Sequence, residues 1–234
     1  MNSKIKFCGI TSLGDARAAV DAGAWAIGMI FWPGSPRRCD PVAATELANA
    51  FKRRAEIVGV FVNPTLDDVV RTADAVGLTA VQLHGDEGPS FCSEVARRSG
   101  ARVIKAAQVS GPGDVRDLER FHVQFHLLDA GASRSATRAS RETMPRGGTG
   151  ETFDWTLLAE RRSRIPLILS GGLTPGNVSE AVAVARPYAV DTASGTEAAP
   201  GRKDPRKLAG FFAAARTTPS RRRRLPPTPS RPPA

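Results

Sequence analysis

Short runs rich in Val, Ile, Leu and Phe recur eight times along the chain, each followed by a polar turn and a stretch with helical periodicity. The runs are KIKFC (4–8), WAIGMIF (25–31), EIVGVFV (56–62), AVQL (80–83), RVIKA (102–106), QFHLL (124–128), PLILS (166–170) and AVDTA (189–193). They are continuously apolar rather than alternating, so each strand expects cover on both faces, as in a parallel sheet overlaid by helices. The intervening stretches carry helix signals. Residues 15–22 are Ala-rich and stop at Gly23, Asp40-Pro41 supplies a cap and a first-turn proline, and Asn63-Pro64-Thr65 precedes a run that stops at Gly77. Eight strand–helix units in roughly 215 residues predict a single α/β domain, a (β/α)8 TIM barrel over 1–215. A doubly wound sheet is the rival, but no GxGxxG follows the first strand.

Two segments break the rhythm. Residues 131–155 form a long Ser/Arg/Gly-rich connection after the sixth strand, either a plain surface loop or a lid over a binding site. Residues 216–234 contain six arginines and no acid, with much proline, and predict a disordered basic tail. That tail changes the meaning of the net charge of +10. Without it, 27 basic residues face 23 acidic ones, so the excess argues for an anionic contact at the tail at most and against nucleic acid as the barrel's partner. Three cysteines without CxxC spacing indicate neither a disulfide framework nor a zinc site. The opening residues lack a signal peptide's apolar run, and no stretch has the ~20 apolar residues of a membrane span, so the expected location is the cytoplasm.

In a parallel barrel, reactive groups collect where strands end. Cys8, Arg37, Gln82, His84, Asp129, Ser170-Gly171-Gly172 and Ser194-Gly195 all fall at such ends. The stretch SGGLTPGN puts two glycines before Thr174, read as a helix cap, and Pro175, read as the first helical residue; with Ser194-Gly195 it forms a pair of donor-rich turns suited to phosphate. RGGTGET (146–152) fails as a nucleotide loop, because Glu151 stands where the lysine belongs. Arg37, read as exposed at the rim, can grip a carboxylate. Cys39 and Cys92 read as inert buried thiols. Cys8 differs: it lies at a strand end, beside Gly9 and near a helix start that would favour the thiolate. Asp129 closes an apolar strand opposite, where burial near other negative charge would raise its pKa and make it a proton donor. His84 either touches the ligand or fixes the rim by hydrogen bonding.

KFCGIT, FWPGSPR, VGVFVN, AVQLHGDE, VIKA, LLDA, GGTGETFDW, LSGGLTPGN, AVDTASG and EAAPGRKD occur in this order from residue 4 to about 213. Together they resemble the phosphoribosylanthranilate isomerase family. The resemblance implies the Amadori rearrangement of N-(5′-phosphoribosyl)anthranilate to 1-(2-carboxyphenylamino)-1-deoxyribulose 5-phosphate in tryptophan biosynthesis, without metal or cofactor. It implies a small phosphosugar as partner and a monomer or homodimer. By the same resemblance Cys8 is the general base, Asp129 the general acid and Arg37 the grip on the anthranilate carboxylate. Gly171, Gly172, Ser194 and Gly195 hold phosphate, and Gln82, His84, Gly148 and Asp191 are further substrate-site candidates. The chain departs from the family pattern at Phe7, at Thr192-Ala193 in the second phosphate turn, at Glu151, in the length of the connection after strand six, and in its tail.

Overall fold

The structure is a computed structural model that describes residues 3–130 and 152–217. Eight parallel strands close a barrel in sequence order: β1 (Lys4–Cys8), β2 (Ala26–Ile30), β3 (Glu56–Phe61), β4 (Ala80–Leu83), β5 (Arg102–Val109), β6 (Phe125–Ala130), β7 (Leu167–Leu169) and β8 (Ala189–Thr192). Pairing of Lys4 with Ala189 through to Phe7 with Thr192 joins the last strand to the first. The helices α1 (Leu13–Asp21), α2 (Pro41–Phe51), α3 (Leu66–Val76), α4 (Pro89–Ser99), α5 (Pro112–Asp117), α6 (Val178–Ala185) and α7 (Pro205–Arg216) complete the units. A two-stranded antiparallel hairpin, β9 (Glu197–Ala199) with β10 (Arg202–Lys203), lies between β8 and α7.

All eight expected strands form, within a few residues of their sequence-read ends. Helix caps follow the expected chemistry. Asp40 accepts from the N–H groups of Val42 (2.9 Å) and Ala43 (3.4 Å), with Pro41 in the first turn. Thr65 caps α3, and Gly77 ends it in the left-handed conformation. One unit departs from the pattern. Among the described residues, β6 and β7 are joined by a 3-10 helix, Trp155–Glu160, with no α-helix; Asp154 caps it, and Pro166 follows within a few residues. Gly148 and Glu151, and with them the lid alternative for the long connection, lie outside the described residues, as does the tail from residue 218. Arg216, assigned to the tail from sequence, is the last residue of α7, its guanidinium over the Phe212 ring.

Period-two alternation sorts each strand between two cores. Ile5 and Phe7 of β1 face the helices, where Phe7 meets Phe211 of α7 edge to face at 5.9 Å. Across the barrel axis pack Ala26, Val58, Ala80, Ile104, Leu127, Ile168 and Ala189. Near the strand starts Trp25, Phe125 and Tyr188 form a triangle with ring centroids 5.4–5.6 Å apart, covered by the Lys4 ammonium, which also donates to the Tyr188 hydroxyl at 2.8 Å. With this end plugged by aromatic rings, the polar interior is displaced toward the strand ends.

Candidate active site

At the C-terminal ends of the strands a cavity of about 340 Å³ opens over the barrel axis. Cys8, Arg37, Gln82, His84, Asp129, Gly171, Gly172, Asp191 and Ser194 all line it, although up to about 190 residues of chain separate them. A neighbouring cavity of about 380 Å³ lies between β4, β5 and α5. Its buried charges are already mutually satisfied: the Lys105 ammonium donates to Glu87 and to the Gly85 carbonyl, each at 2.7 Å. The smaller cavity holds both the thiol and the carboxyl singled out from the sequence.

Asp129 is the penultimate residue of β6, paired with Gln108 of β5, and is 5% exposed. One carboxylate oxygen accepts the Ala130 N–H at 2.9 Å; the other is 3.5 Å from His84 Nε2. Burial, and then the Asp191 carboxylate nearby, push its pKa up to about 7, against the hydrogen bonds of Ala130 and Ser170 and the charge of Lys6. The carboxyl is thus raised by burial, the direction the sequence suggested. His84 stands between Gln82, whose amide nitrogen is 3.4 Å from Nδ1, and Asp129. It lines the cavity and stands within 3.5 Å of both neighbours.

Cys8 shares its face of β1 with Lys6, two residues earlier. Lys6 is wholly buried and donates to Asp191 Oδ1 at 2.9 Å; the Ser170 hydroxyl donates to Asp191 Oδ2 at 3.4 Å. The thiol and the ammonium crowd the same spot. A Cβ on Gly28, the residue opposite Cys8 in β2, would stand 2.9 Å from Cys8 Sγ and 3.1 Å from Lys6 Nζ. One polar chain thus runs from Cys8 through Lys6, Asp191 and Ser170 to Asp129. The expectation that a helix start would draw the thiol down is corrected. Burial dominates and pushes the Cys8 thiol up, while the opposing pull comes chiefly from the Lys6 ammonium and more weakly from Lys203. Ser12 caps α1 four residues beyond the thiol, its side chain committed to the Asp15 N–H.

Gly9 explains how Arg37 reaches the site. With φ at +75°, it has a conformation that favours glycine, and a Cβ there would lie 2.9 Å from Arg37 Cδ. The arginine stem crosses the mouth of β1 through that gap. Arg37 is therefore not the exposed rim residue the loop composition predicts: its side chain is 13% exposed, and its Nε donates to both oxygens of Glu197, at 2.9 and 3.0 Å. Arg38 is the exposed one of the pair.

The two phosphate-type turns abut. Gly171 and Gly172 both take positive φ, and the Thr192 hydroxyl donates to the Leu173 carbonyl at 2.8 Å, tying one turn to the other. Gly195 does not line the cavity; a Cβ there would fall 1.9 Å from the Leu173 carbonyl oxygen, so its place is behind the turn, where backbones touch. The cap assignment shifts as well. Residues 175–177 form a turn, and α6 begins after Asn177, because the Asn177 side chain folds back to accept from Thr174 N–H (2.8 Å) and donate to Gly172 O (3.0 Å). Thr174 caps only the turn, its hydroxyl accepting from Gly176 N–H at 3.2 Å. Lys6, Glu197 and Lys203 escaped the sequence reading. Lys6 was detectable as the residue sharing a strand face with Cys8; the other two lie in the EAAPGRKD stretch, which carries the resemblance but gives no sign that they meet Arg37. Cys39 and Cys92 are buried in the helix-facing core, as expected. No group of His, Cys, Asp and Glu suited to a metal ion occurs among the described residues, and no helix among them is long and apolar enough to cross a membrane.

Residues 5–214 match the family model described as N-(5′-phosphoribosyl)anthranilate (PRA) isomerase. The N-(5′-phosphoribosyl)anthranilate isomerase of Citrifermentans bemidjiense is 44% identical over 214 residues, spanning 92% of this chain and 97% of its own. The crystal structure of phosphoribosyl anthranilate isomerase from Thermotoga maritima superposes with a TM-score of 0.78 at 39% identity, covering 91% of this chain and 98% of that one. A further phosphoribosyl anthranilate isomerase structure, in complex with reduced 1-(o-carboxyphenylamino)-1-deoxyribulose 5-phosphate, has a TM-score of 0.75 at 37% identity, with 91% and 98% coverage.

Proposed function

Because the chain belongs to the phosphoribosylanthranilate isomerase family and isomerises N-(5′-phosphoribosyl)anthranilate in tryptophan biosynthesis, we propose that Asp129 is its general acid and Cys8 its general base. The observation that carries this reading is that the two face one cavity, flanked by paired glycine turns, and are joined below by the Lys6–Asp191 pair. Gly171, Gly172 and Ser194 hold the 5′-phosphate, largely through backbone donors, with Gly195 supporting the turn from behind. Arg37 receives the anthranilate carboxylate through its terminal nitrogens. Asp129 protonates the furanose ring oxygen; the C1′–O bond breaks as the anthranilate nitrogen supplies its electron pair, giving an open-chain iminium. The Cys8 thiolate removes the C2′ proton, and that C–H pair neutralises the iminium to give an enolamine. Tautomerisation moves the proton of the C2′ hydroxyl to C1′ and yields the ketose. The substrate's charge and the need for a reduced thiol fit a cytoplasmic setting.

The two groups titrate in an unusual order for this chemistry, because the acid must keep its proton while the thiol has lost its own. With Asp129 at about 7 and Cys8 raised above its ordinary value, the major singly protonated form is carboxylate plus thiol. The productive form, carboxylic acid plus thiolate, has the same proton count and is a constant minor share of it. The rate (kcat/KM) should therefore rise with pH to about 7, level off, and fall through the thiol's own pKa. Alkylation of Cys8 by iodoacetamide follows the thiolate and should climb through that upper pKa, where turnover falls. Alkylation reaching its maximum on the acid limb would refute the assignment.

A separate outcome is expected at the phosphate turn. Gly195→Ala forces its new Cβ against the Leu173 carbonyl. A misfit of about 1–3 kcal/mol there should raise KM roughly tenfold or more while kcat changes little. Steady-state kinetics check this; an unchanged KM would remove the turn from substrate binding.

A further inference from the structure

The hairpin of β9 and β10 lies outside the eight strand–helix units, yet it ties together four parts of the barrel mouth. Its Glu197 carboxylate takes Nε of Arg37 from the loop after β2, and the Lys203 ammonium at 3.1 Å from within the hairpin. Lys203 also donates to the carbonyl of Ala193, in the second phosphate turn, at 2.9 Å. The Lys207 ammonium of α7 donates to the Glu197 carbonyl at 2.7 Å, and the Thr11 hydroxyl beyond β1 donates to the Gly201 carbonyl at 2.6 Å. The Glu197 side chain is 4% exposed and that of Lys203 is fully buried.

A carboxylate so far from water is tolerated only when paired and hydrogen-bonded, and here two cations do so. Burial pushes the Glu197 carboxyl up, but Arg37 and Lys203 outweigh it and hold it below the usual carboxylate range, so it stays charged at neutral pH. The contact with Arg37 uses Nε. A guanidinium held by that edge keeps its terminal nitrogens free of this contact, in a fixed plane, as a fork for a second carboxylate.

We propose that Glu197 is a positioning residue that sets substrate selectivity. It fixes the Arg37 fork and, through Lys203, the separation of that fork from the phosphate turn, so the site selects phosphoribosyl arylamines that carry a carboxylate beside the amine. This rests on the reading of Arg37 as the carboxylate grip. A neutral or shorter side chain at 197 loosens the fork, and the carboxylate loses its anchor while the acid, the base and the phosphate turns stay in place.

The test compares turnover of N-(5′-phosphoribosyl)anthranilate with that of the aniline adduct, which lacks the carboxylate, in wild type, Glu197→Gln, Glu197→Asp and Arg37→Ala. Glu197→Gln should lower the ratio of the two kcat/KM values roughly tenfold, through KM for the anthranilate substrate. Glu197→Asp keeps the charge but withdraws it by one methylene. It should give a smaller loss of selectivity in a folded protein, which keeps the test open if the glutamine variant fails to fold. Combined with Arg37→Ala, Glu197→Gln should change the ratio no further. Equal losses for both substrates, with the ratio intact, would mean that Glu197 only supports the fold, and would overturn the proposal. A ratio unmoved by Arg37→Ala would instead overturn the reading of Arg37 on which it stands.

Discussion

Asp129→Asn should lower kcat by ~10²–10⁴-fold, the usual contribution of a positioned general acid, with the barrel still folded. Asparagine keeps the size of the side chain and can still accept the Ala130 N–H that Asp129 Oδ1 takes at 2.9 Å. It lacks the proton that the ring oxygen requires. Asp129 is also the group that burial and Asp191 have pushed to about 7, so its replacement should remove the limb at about 7 and leave a lowered rate that rises only through the thiol's own pKa. Cys8→Ala should fall by a similar factor, since deprotonation at C2′ follows ring opening and needs its own base. Circular dichroism and thermal unfolding distinguish lost chemistry from lost fold. A folded Asp129→Asn enzyme turning over at the wild-type rate would end the assignment. The double variant should fall little below the slower single one, because two groups serving one reaction are not additive.

Lys6→Met should destabilise the barrel by about 3–5 kcal/mol, because it strands a charge rather than removing a contact. Lys6 is wholly buried, and its 2.9 Å bond to Asp191 is the ion pair that accounts for the carboxylate's place inside the barrel. Burial disfavours the Lys6 ammonium; Asp191, with Cys8, outweighs that and pushes it above the ordinary lysine value. Methionine fills the stem's volume and leaves Asp191 with the Ser170 hydroxyl at 3.4 Å. Urea denaturation reads the loss. A second change, Asp191→Leu in the same chain, should recover much of the stability, since replacing a buried pair with apolar groups is often neutral. Activity should not return with it. Lys6 gives the chief opposing pull on a thiol that burial pushes up, so in both variants iodoacetamide alkylation of Cys8 should shift to higher pH. Recovery of activity together with stability would reduce the pair to a structural role.

The eight strands and the closure of the barrel were legible because their signals are local. Continuous apolar runs, glycine stops and Asp-Pro or Thr caps each act within a few residues, and the structure repeats them nearly end for end. The 3-10 helix that stands before β7 among the described residues was not legible, since a count of alternations assumes an α-helix in every unit. Cys8 and Asp129 could be picked out as polar residues ending apolar strands. Arg37 was identified, but its burial was not, because the gap it crosses belongs to Gly9 and its partner lies 160 residues further on.

Residue order and type were enough to settle the architecture, the ring of strand ends and the two candidates for moving protons. Backbone conformation and side-chain parity are decided over short distances, which makes them readable along a line. Folding in three dimensions decided the surroundings of those candidates and the identity of their supports. The acid is raised and the thiol is raised with it by burial, while Lys6, Glu197 and Lys203 come to the site from opposite ends of the chain. Desolvation and Coulomb interactions depend on distance through space, and closing the barrel brings residues nearly 190 positions apart within a hydrogen bond of one another.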